Sequence, residues 1–341
     1  MKKIVMLFLA VALAFSVVGC AKKAATPKIG VAIYKFDDTF MSYVRNQIES
    51  AAKGKIELST QDSQYDQPKQ NDQVDQFLTQ GVTALAINMV DPSAVSVIIG
   101  KAKAKSIPLV LFNREPVAAD MAAWDKVYYV GAKAQQSGTM MGEIVVDYWK
   151  THPEADLNKD GIIQYVMLMG DPSNTDAKYR TEFSIKAVQD AGLKVEKLAQ
   201  DTAMWDRVKG QEKMAAFLAA YQGKIEVVFA NNDDMGLGAI EALKAAGYFA
   251  NGKYMPVVSV DATPPALDAL EQGTLLGTVL NDAVRQGQAT FDLAYALATG
   301  AEAKTDVAPL ALADGTANAS GKYIWVPYVK VTLENYKEFK K

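Results

Sequence analysis

Cysteine and histidine occur once each in 341 residues, as Cys20 and His152. That scarcity excludes a His/Cys zinc cluster and a disulfide framework, and it leaves a Ser-His-Asp or Cys-His mechanism a single base or thiol to use. A surplus of positive charge is also lacking, since 36 Lys and Arg stand against 39 Asp and Glu. The chain therefore carries no electrostatic footprint for a polyanion, and nucleic acid is not expected as a partner. The apolar run at residues 4–15 falls short of the roughly 20 residues that cross a bilayer, so no permanent transmembrane helix is expected there. What the chain does have is apolar content, 50% of residues, enough for well-packed cores. At roughly 100 to 200 residues per domain, its length predicts two of them.

The start of the chain reads Met1-Lys2-Lys3, the apolar run, then Ser16-Val17-Val18-Gly19-Cys20, the layout of a secretory leader. Val17-Val18-Gly19-Cys20 resembles the bacterial lipobox, in which the cysteine is diacylated and becomes the mature N-terminus. The expectation is a lipoprotein signal peptide at 1–19, lipidation at Cys20 and a polar tether at 20–27. An ordinary signal peptide with a cysteine beside its cleavage site is the alternative. Either places the mature chain outside the cytoplasm, at the periplasm or cell surface, and the lipobox reading anchors it to a membrane.

From Lys28 onward, short β-rich runs alternate with longer segments of helical period, the pattern of βα units on a parallel sheet. Strands are predicted at 29–34, 56–60, 84–88, 109–112, 127–130, 163–169, 195–198, 227–230, 257–260 and 277–280. Asp91-Pro92 and Thr263-Pro264-Pro265 place proline in a first helical turn, where no N–H is lost. The stretches 29–131 and 164–260 each look like a complete α/β half. The fold class is therefore α/β, two doubly wound parallel-sheet domains: an N-terminal one of 28–131 plus 282–324 and a C-terminal one of 132–281 plus 325–341. A three-strand hinge near Gly131, Asn281 and Trp325 would join them.

Ligands of such sheets sit beyond the carboxyl ends of the strands. Those positions hold Asp37 to Phe40, Asn88, Asp91, Asn113 to Glu115, Asp171 to Arg180, Asn231 to Asp234, Asp261, and Asn281 with Asp282. Any one Asp or Asn there is explained as a helix N-cap. As a set they supply planar carboxylate and amide groups with fixed hydrogen-bond geometry. A sugar hydroxyl both donates and accepts, so carboxylates beside Asn and Arg suit it, and a pyranose also needs flat apolar walls. Phe40 and Trp205 are available for that, although an aromatic taken singly is more often core.

The segments IYKFDDTFMS (33–42), ALAINMVDP (84–92), FNREP (112–116), DTAMWD (201–206), ANND (230–233) and TVLND (278–282) closely resemble the bacterial D-galactose/D-glucose-binding periplasmic proteins of the type I family. The resemblance runs from about Lys28 to the C-terminus, with the leader and the region of about 301–322 unlike. It implies two domains closing on one hexose. It also places Asp38, Asn113, Asp176, Arg180, Asn232, Asp261 and Asn281 on polar sugar-binding positions, with Phe40 and Trp205 stacking on the ring. Asp176 and Arg180 are an i, i+4 pair, so one helix face can present both. At one sugar-binding position the chain departs from the family, having Asn174 where the family usually has His. Asn is shorter but can still donate, so affinity or hexose choice is expected to shift.

Asp156-Leu157-Asn158-Lys159-Asp160-Gly161-Ile162-Ile163-Gln164 fits the first nine positions of an EF-hand loop, with Gly at the sharp turn. The twelfth position fails, being Met167 instead of Glu, and on the residues alone an Asx-rich turn is the alternative. The resemblance implies that a distant glutamate, Glu226, completes the site. A structural Ca²⁺ is accordingly expected on Asp156, Asn158, Asp160, the Ile162 carbonyl, Gln164 and Glu226.

Three function classes compete. The first is a solute receptor, a monomer that hands glucose or galactose to an ABC importer; the resemblance also implies a chemoreceptor as a second partner. A sugar-active enzyme could use Asp38 and Asp261 as acid and base, but the family performs no chemistry. A LacI-type regulator shares the fold, yet an export leader stands where its helix-turn-helix would be. Within the receptor class, ribose or xylose is the alternative ligand, because fold alone does not fix the sugar.

Overall fold

The computed structural model describes residues 26–304 and 321–340, so the predicted leader, Cys20 and most of the tether and of the unlike region lie outside the described residues. Two six-stranded sheets organise the chain. The first contains β1 (Lys28–Ile33), β2 (Glu57–Asp62), β3 (Ala84–Ile87), β4 (Leu109–Phe112), β5 (Val127–Gly131) and β11 (Tyr323–Trp325), in the order β11-β5-β4-β3-β1-β2. The second contains β6 (Ile162–Met169), β7 (Lys194–Thr202), β8 (Val227–Ala230), β9 (Val257–Val258), β10 (Gly277–Leu280) and β12 (Val329–Thr332), in the order β12-β10-β9-β8-β6-β7. All pairings are parallel except β10 with β12.

The central strands β3, β4 and β8 are buried along their whole length. Unbroken apolar runs are what a sheet covered on both faces requires. The helices that cover them are α1 (Thr39–Ala52), α2 (Gln67–Thr79), α3 (Val95–Ala104), α4 (Ala118–Ala122), α5 (Ala134–Thr151), α6 (Thr175–Asp190), α7 (Arg207–Ala220), α8 (Asp233–Ala245), α9 (Pro264–Glu271) and α10 (Ala283–Ala298). Four apolar clusters result, one on each face of each sheet.

Sequence patterning missed β11 and β12, which are three and four residues long and offer too little periodicity to read. It also shortened the edge strands: β2 reaches Asp62 and β7 runs from Lys194 to Thr202, both half-exposed and polar. Strand β9, in contrast, is only two residues. The chain passes between the sheets three times. After β5 it enters α5, which packs on α6, β10 and β12; after β10 it enters α10, which packs on α1, β3 and β4; after β11 it crosses to β12. Val326 N–H donates to the Gly131 carbonyl at 2.7 Å, tying the first and third passages side by side. Among the described residues, no helix is long and apolar enough to cross a membrane.

Candidate functional site

The carboxyl edges of both sheets open onto one cleft. All ten residues singled out from the sequence line it, together with Tyr34, Met41 and Arg114. The first sheet contributes Tyr34 beyond β1, Asp38 and Phe40 at the start of α1, and Asn113 beyond β4; the second contributes Asn174, Asp176 and Arg180 around the start of α6, Trp205 beyond β7, Asn232 beyond β8, Asp261 beyond β9 and Asn281 beyond β10. The space between them is about 340 Å³, part of it open to solvent.

Capping and lining the cleft turn out to be one role. Asp38 Oδ1 accepts from Met41 N–H at 2.7 Å, Asn174 Oδ1 from Asp176 N–H at 2.9 Å and Asn232 Oδ1 from Met235 N–H at 3.0 Å, so each cap holds its own side chain at the cleft. The Asn174 amide nitrogen is left as the group it can turn toward a ligand. Tyr34 Oη donates to Asp38 Oδ2 at 2.5 Å. Asn113 sits at φ +64°, a conformation Asn tolerates better than most residues, and its carbonyl accepts from Tyr129 Oη at 2.8 Å. Trp205 also lies in the left-handed region, at φ +65°. For so bulky a residue this is strained backbone, which clusters at functional sites.

Arg180 is the electrostatic centre of the second domain's wall. It donates to the Asn231 carbonyl at 2.8 Å and to Tyr328 Oη at 3.1 Å, and it lies 3.6 Å from Asp176 and 3.9 Å from Asp261. Burial works against its charge, but Tyr328, Asp176 and Asp261 hold it protonated. Burial pushes the carboxyls of Asp38, Asp176 and Asp261 above the usual range, with Arg180 opposing it at the latter two and neighbouring Asp233 adding to it at Asp261. Asp261 is further held by Asn281 Nδ2 at 3.2 Å, and Asn281 in turn accepts from Gln286 of α10. Asp233, one residue beyond Asn232, faces inward instead: Ser259, Thr263 and Thr278 saturate it.

Several buried polar atoms have no partner among the described residues, including Asp176 Oδ1, Arg180 Nε and Arg114 Nη2. An unpaired buried polar atom costs about 1–3 kcal/mol, so a polar ligand in this cleft would relieve several such costs together. Sequence reasoning passed over Met41, an apolar helix residue, and gave no role to Tyr34 and Arg114, although both lie at strand ends where the signal was strongest.

The loop around Gly161 leads into the amino end of β6, and none of its residues lines the cleft at the carboxyl edge. Glu226, buried, accepts from Leu157 N–H at 2.7 Å and Gln164 N–H at 3.0 Å, so it does reach the 156–164 loop. Asp156 and Asp160 accept backbone amides of the loop itself, and Gly161 takes φ +72°. No group of three or more His, Cys, Asp or Glu side chains is gathered for a metal among the described residues.

Residues 29–302 match the family model for the periplasmic binding protein domain. The chain is 44% identical, over 94% of both chains, to the D-galactose/methyl-galactoside binding periplasmic protein of Haemophilus influenzae. It is 31% identical to the xylitol-binding protein of Mycolicibacterium smegmatis, covering 87% of this chain and 80% of that one. Among solved structures, an ABC transporter solute binding protein from Bacillus halodurans with bound myo-inositol superposes with a TM-score of 0.76 at 29% identity, covering 92% and 97% of the two chains. With the two-domain fold, the cleft and these likenesses in agreement, the chain belongs to the periplasmic binding protein family.

Proposed function

We propose that this protein is a lipid-anchored receptor that captures D-glucose or D-galactose between its domains and delivers it to an ABC sugar importer. The observation that carries the reading is the cleft itself: Asp176 Oδ1 and Arg180 Nε are buried without partners among the described residues, in a wall that Asn113, Asn232 and Asn281 complete, with Phe40 and Trp205 beside them. Such a set suits a polyol ring with apolar faces, and the relative that is 44% identical is named for galactose and methyl-galactoside binding. The cleft carboxylates act here as acceptors, without a chemical step. The three chain passages at 132–133, 281–282 and 326–328 serve as the hinge for closure. The mature chain works as a monomer at the periplasm or cell surface, held by lipid on Cys20, with a chemoreceptor as a second partner.

A second reading, a different small polyol such as ribose or xylose, is favoured by Asn174 and by the likeness to a xylitol-binding protein. Calorimetric and tryptophan-fluorescence titration of the chain lacking residues 1–20 with D-glucose, D-galactose, D-ribose and D-xylose separates the two. One-to-one binding of a hexose, lost in Trp205→Ala and Asp176→Ala, supports the first; binding of a pentose alone replaces it with the second.

The 156–164 loop is proposed to hold a structural Ca²⁺. Gln164 Oε1 is buried without a partner among the described residues, which fits an oxygen donor to a hard cation. Asp156, Asn158, Asp160, the Ile162 carbonyl and Glu226 would supply the remaining oxygens. A cation held there would add to the bonds by which Glu226 already joins the loop to the start of β8.

A further inference from the structure

Asp171, just beyond β6 in the second domain, is buried and divides its two carboxylate oxygens between the domains. Oδ1 stays at home, accepting from Ser173 N–H at 2.9 Å and Ser173 Oγ at 2.7 Å. Oδ2 reaches across the cleft mouth, accepting from Tyr65 Oη at 2.7 Å and from Arg114 Nη1 at 3.3 Å, both of the first domain. Resting on the receptor reading above, we infer that Tyr65, Arg114 and Asp171 form a latch that holds the domains closed, with Arg114 coupling the latch to occupancy of the cleft.

Each partner is held ready for this contact from its own side. The Arg114 guanidinium lies 3.8 Å from the centre of the Tyr34 ring, and Nη1 also donates to the Val90 carbonyl at 2.6 Å, so its position is fixed by the first domain alone. Tyr34 and Arg114 both line the cleft, and Arg114 Nη2 is buried without a partner among the described residues. One guanidinium thus offers Nη1 to the opposite domain and Nη2 to a ligand oxygen. Tyr65 extends from a turn in which Gln64 and Tyr65 both adopt positive φ, +53° and +60°, with Tyr65 N–H donating to the Tyr34 carbonyl at 2.7 Å. Tyr65 is 40% exposed, so opening the domains returns its hydroxyl to water at little cost. Opening leaves Asp171 with only its local Ser173 bonds. Tyr65 and Asp171 are positioning residues, because they act on the ligand only by holding the walls together.

The discriminating experiment is stopped-flow sugar binding by Asp171→Asn, Tyr65→Phe and the wild-type chain. A buried, hydrogen-bonded charge pair across an interface acts on dissociation, so Asp171→Asn should raise koff roughly tenfold or more, leave kon nearly unchanged, and do so by the same factor for every sugar bound. Tyr65→Phe should move koff in the same direction by less. A change confined to kon, a factor that differs between sugars, or unchanged koff in both variants would overturn the latch while leaving the receptor reading intact. Spin labels at exposed Asp72 and Lys178, one in each domain, give a readout that needs no assigned sugar. Asp171→Asn should lower the closed fraction, and an interdomain distance distribution identical to wild type would also sink the latch. If no sugar binds the wild-type chain, the receptor reading falls, and the spin-label distances alone decide the latch.

Discussion

The Trp205 indole packs against the backbone of Gly170 so closely that a Cβ at Gly170 would stand 2.3 Å from ring atoms Cη2 and Cζ2. The glycine cannot retreat, because its N–H donates to Asn231 Oδ1 at 3.1 Å and its carbonyl accepts from Thr202 Oγ1 at 2.6 Å. Gly170→Ala should therefore drive the indole out of place, weakening sugar binding tenfold or more and costing about 1–3 kcal/mol of stability by overpacking. Titration followed by tryptophan fluorescence checks both the affinity and the altered ring environment. Wild-type affinity in Gly170→Ala would show that the indole position does not matter to the ligand.

Arg180→Met tests the electrostatic centre of the cleft. It leaves Asp176 and Asp261 buried without their cation, and breaking a buried pair on one side costs about 3–5 kcal/mol. Urea denaturation should show that loss. The double variant Arg180→Met with Asp176→Leu should recover part of the stability and none of the sugar affinity.

Most of the architecture was legible because buried parallel strands such as Leu109–Phe112 read as unbroken apolar runs and the strand ends carry conspicuous Asp and Asn. Nine of the ten cleft positions stood among those strand ends, and Trp205 joined them as an available aromatic wall and through the resemblance. Arg114 and Asp171 show where legibility stops: both stood in the rim, but a bond between them depends on how two domains meet, and no local pattern in either segment encodes that. Tyr328 and Gln286 escaped for the same reason, since each supports a cleft residue from a segment distant in sequence. Strands β11 and β12 were too short for periodicity to register.

Glu115 and Asp233, among the carboxyls that burial raises, should each make stability fall as the solution is made less acidic. Burial pushes the Glu115 carboxyl up to about 7, with Asp176 adding to it and Lys133 opposing it, and burial pushes Asp233 up to about 6. Unfolded carboxyls titrate near 4, so between there and these values the folded chain binds more protons than the unfolded one, and stability declines as pH rises through that window. Glu115→Gln should flatten the slope, gaining on the order of 1–3 kcal/mol at pH 8 and little at pH 4. Denaturant midpoints at the two values give the answer; equal effects at both would assign Glu115 an ordinary carboxyl.

Calcium should stabilise the chain without being needed for sugar recognition. At a concentration one hundred times its dissociation constant it would add about 2.7 kcal/mol. Chelation should lower the melting temperature, and Glu226→Gln should abolish the response while preserving sugar affinity. Burial, together with nearby Asp156 and Asp160, raises the Glu226 carboxyl, which backbone amides of Gln164 and Leu157 oppose. A cation beside it would favour the ionised carboxylate against both burial and the repulsion from Asp156 and Asp160. No shift in melting temperature on adding calcium to chelated protein would remove the site from the account.

Asn174 carries two jobs that a substitution can separate. Its Oδ1 caps α6 through Asp176 N–H, while its amide nitrogen is the donor it can offer to the cleft. Loss of an Asn cap costs about 0.5–2 kcal/mol. Asn174→Ala removes both functions, whereas Asn174→Asp keeps the cap and converts the donor into an acceptor. If the donor serves the ligand, Asn174→Asp should retain stability near wild type yet weaken binding by tenfold or more. It should also change the glucose-to-galactose affinity ratio, because the two sugars differ only in the direction of one hydroxyl. If Asn174 is a cap alone, Asn174→Ala should lose stability and Asn174→Asp should bind both sugars as the wild type does. Paired calorimetry and thermal melts on the two variants distinguish the cases.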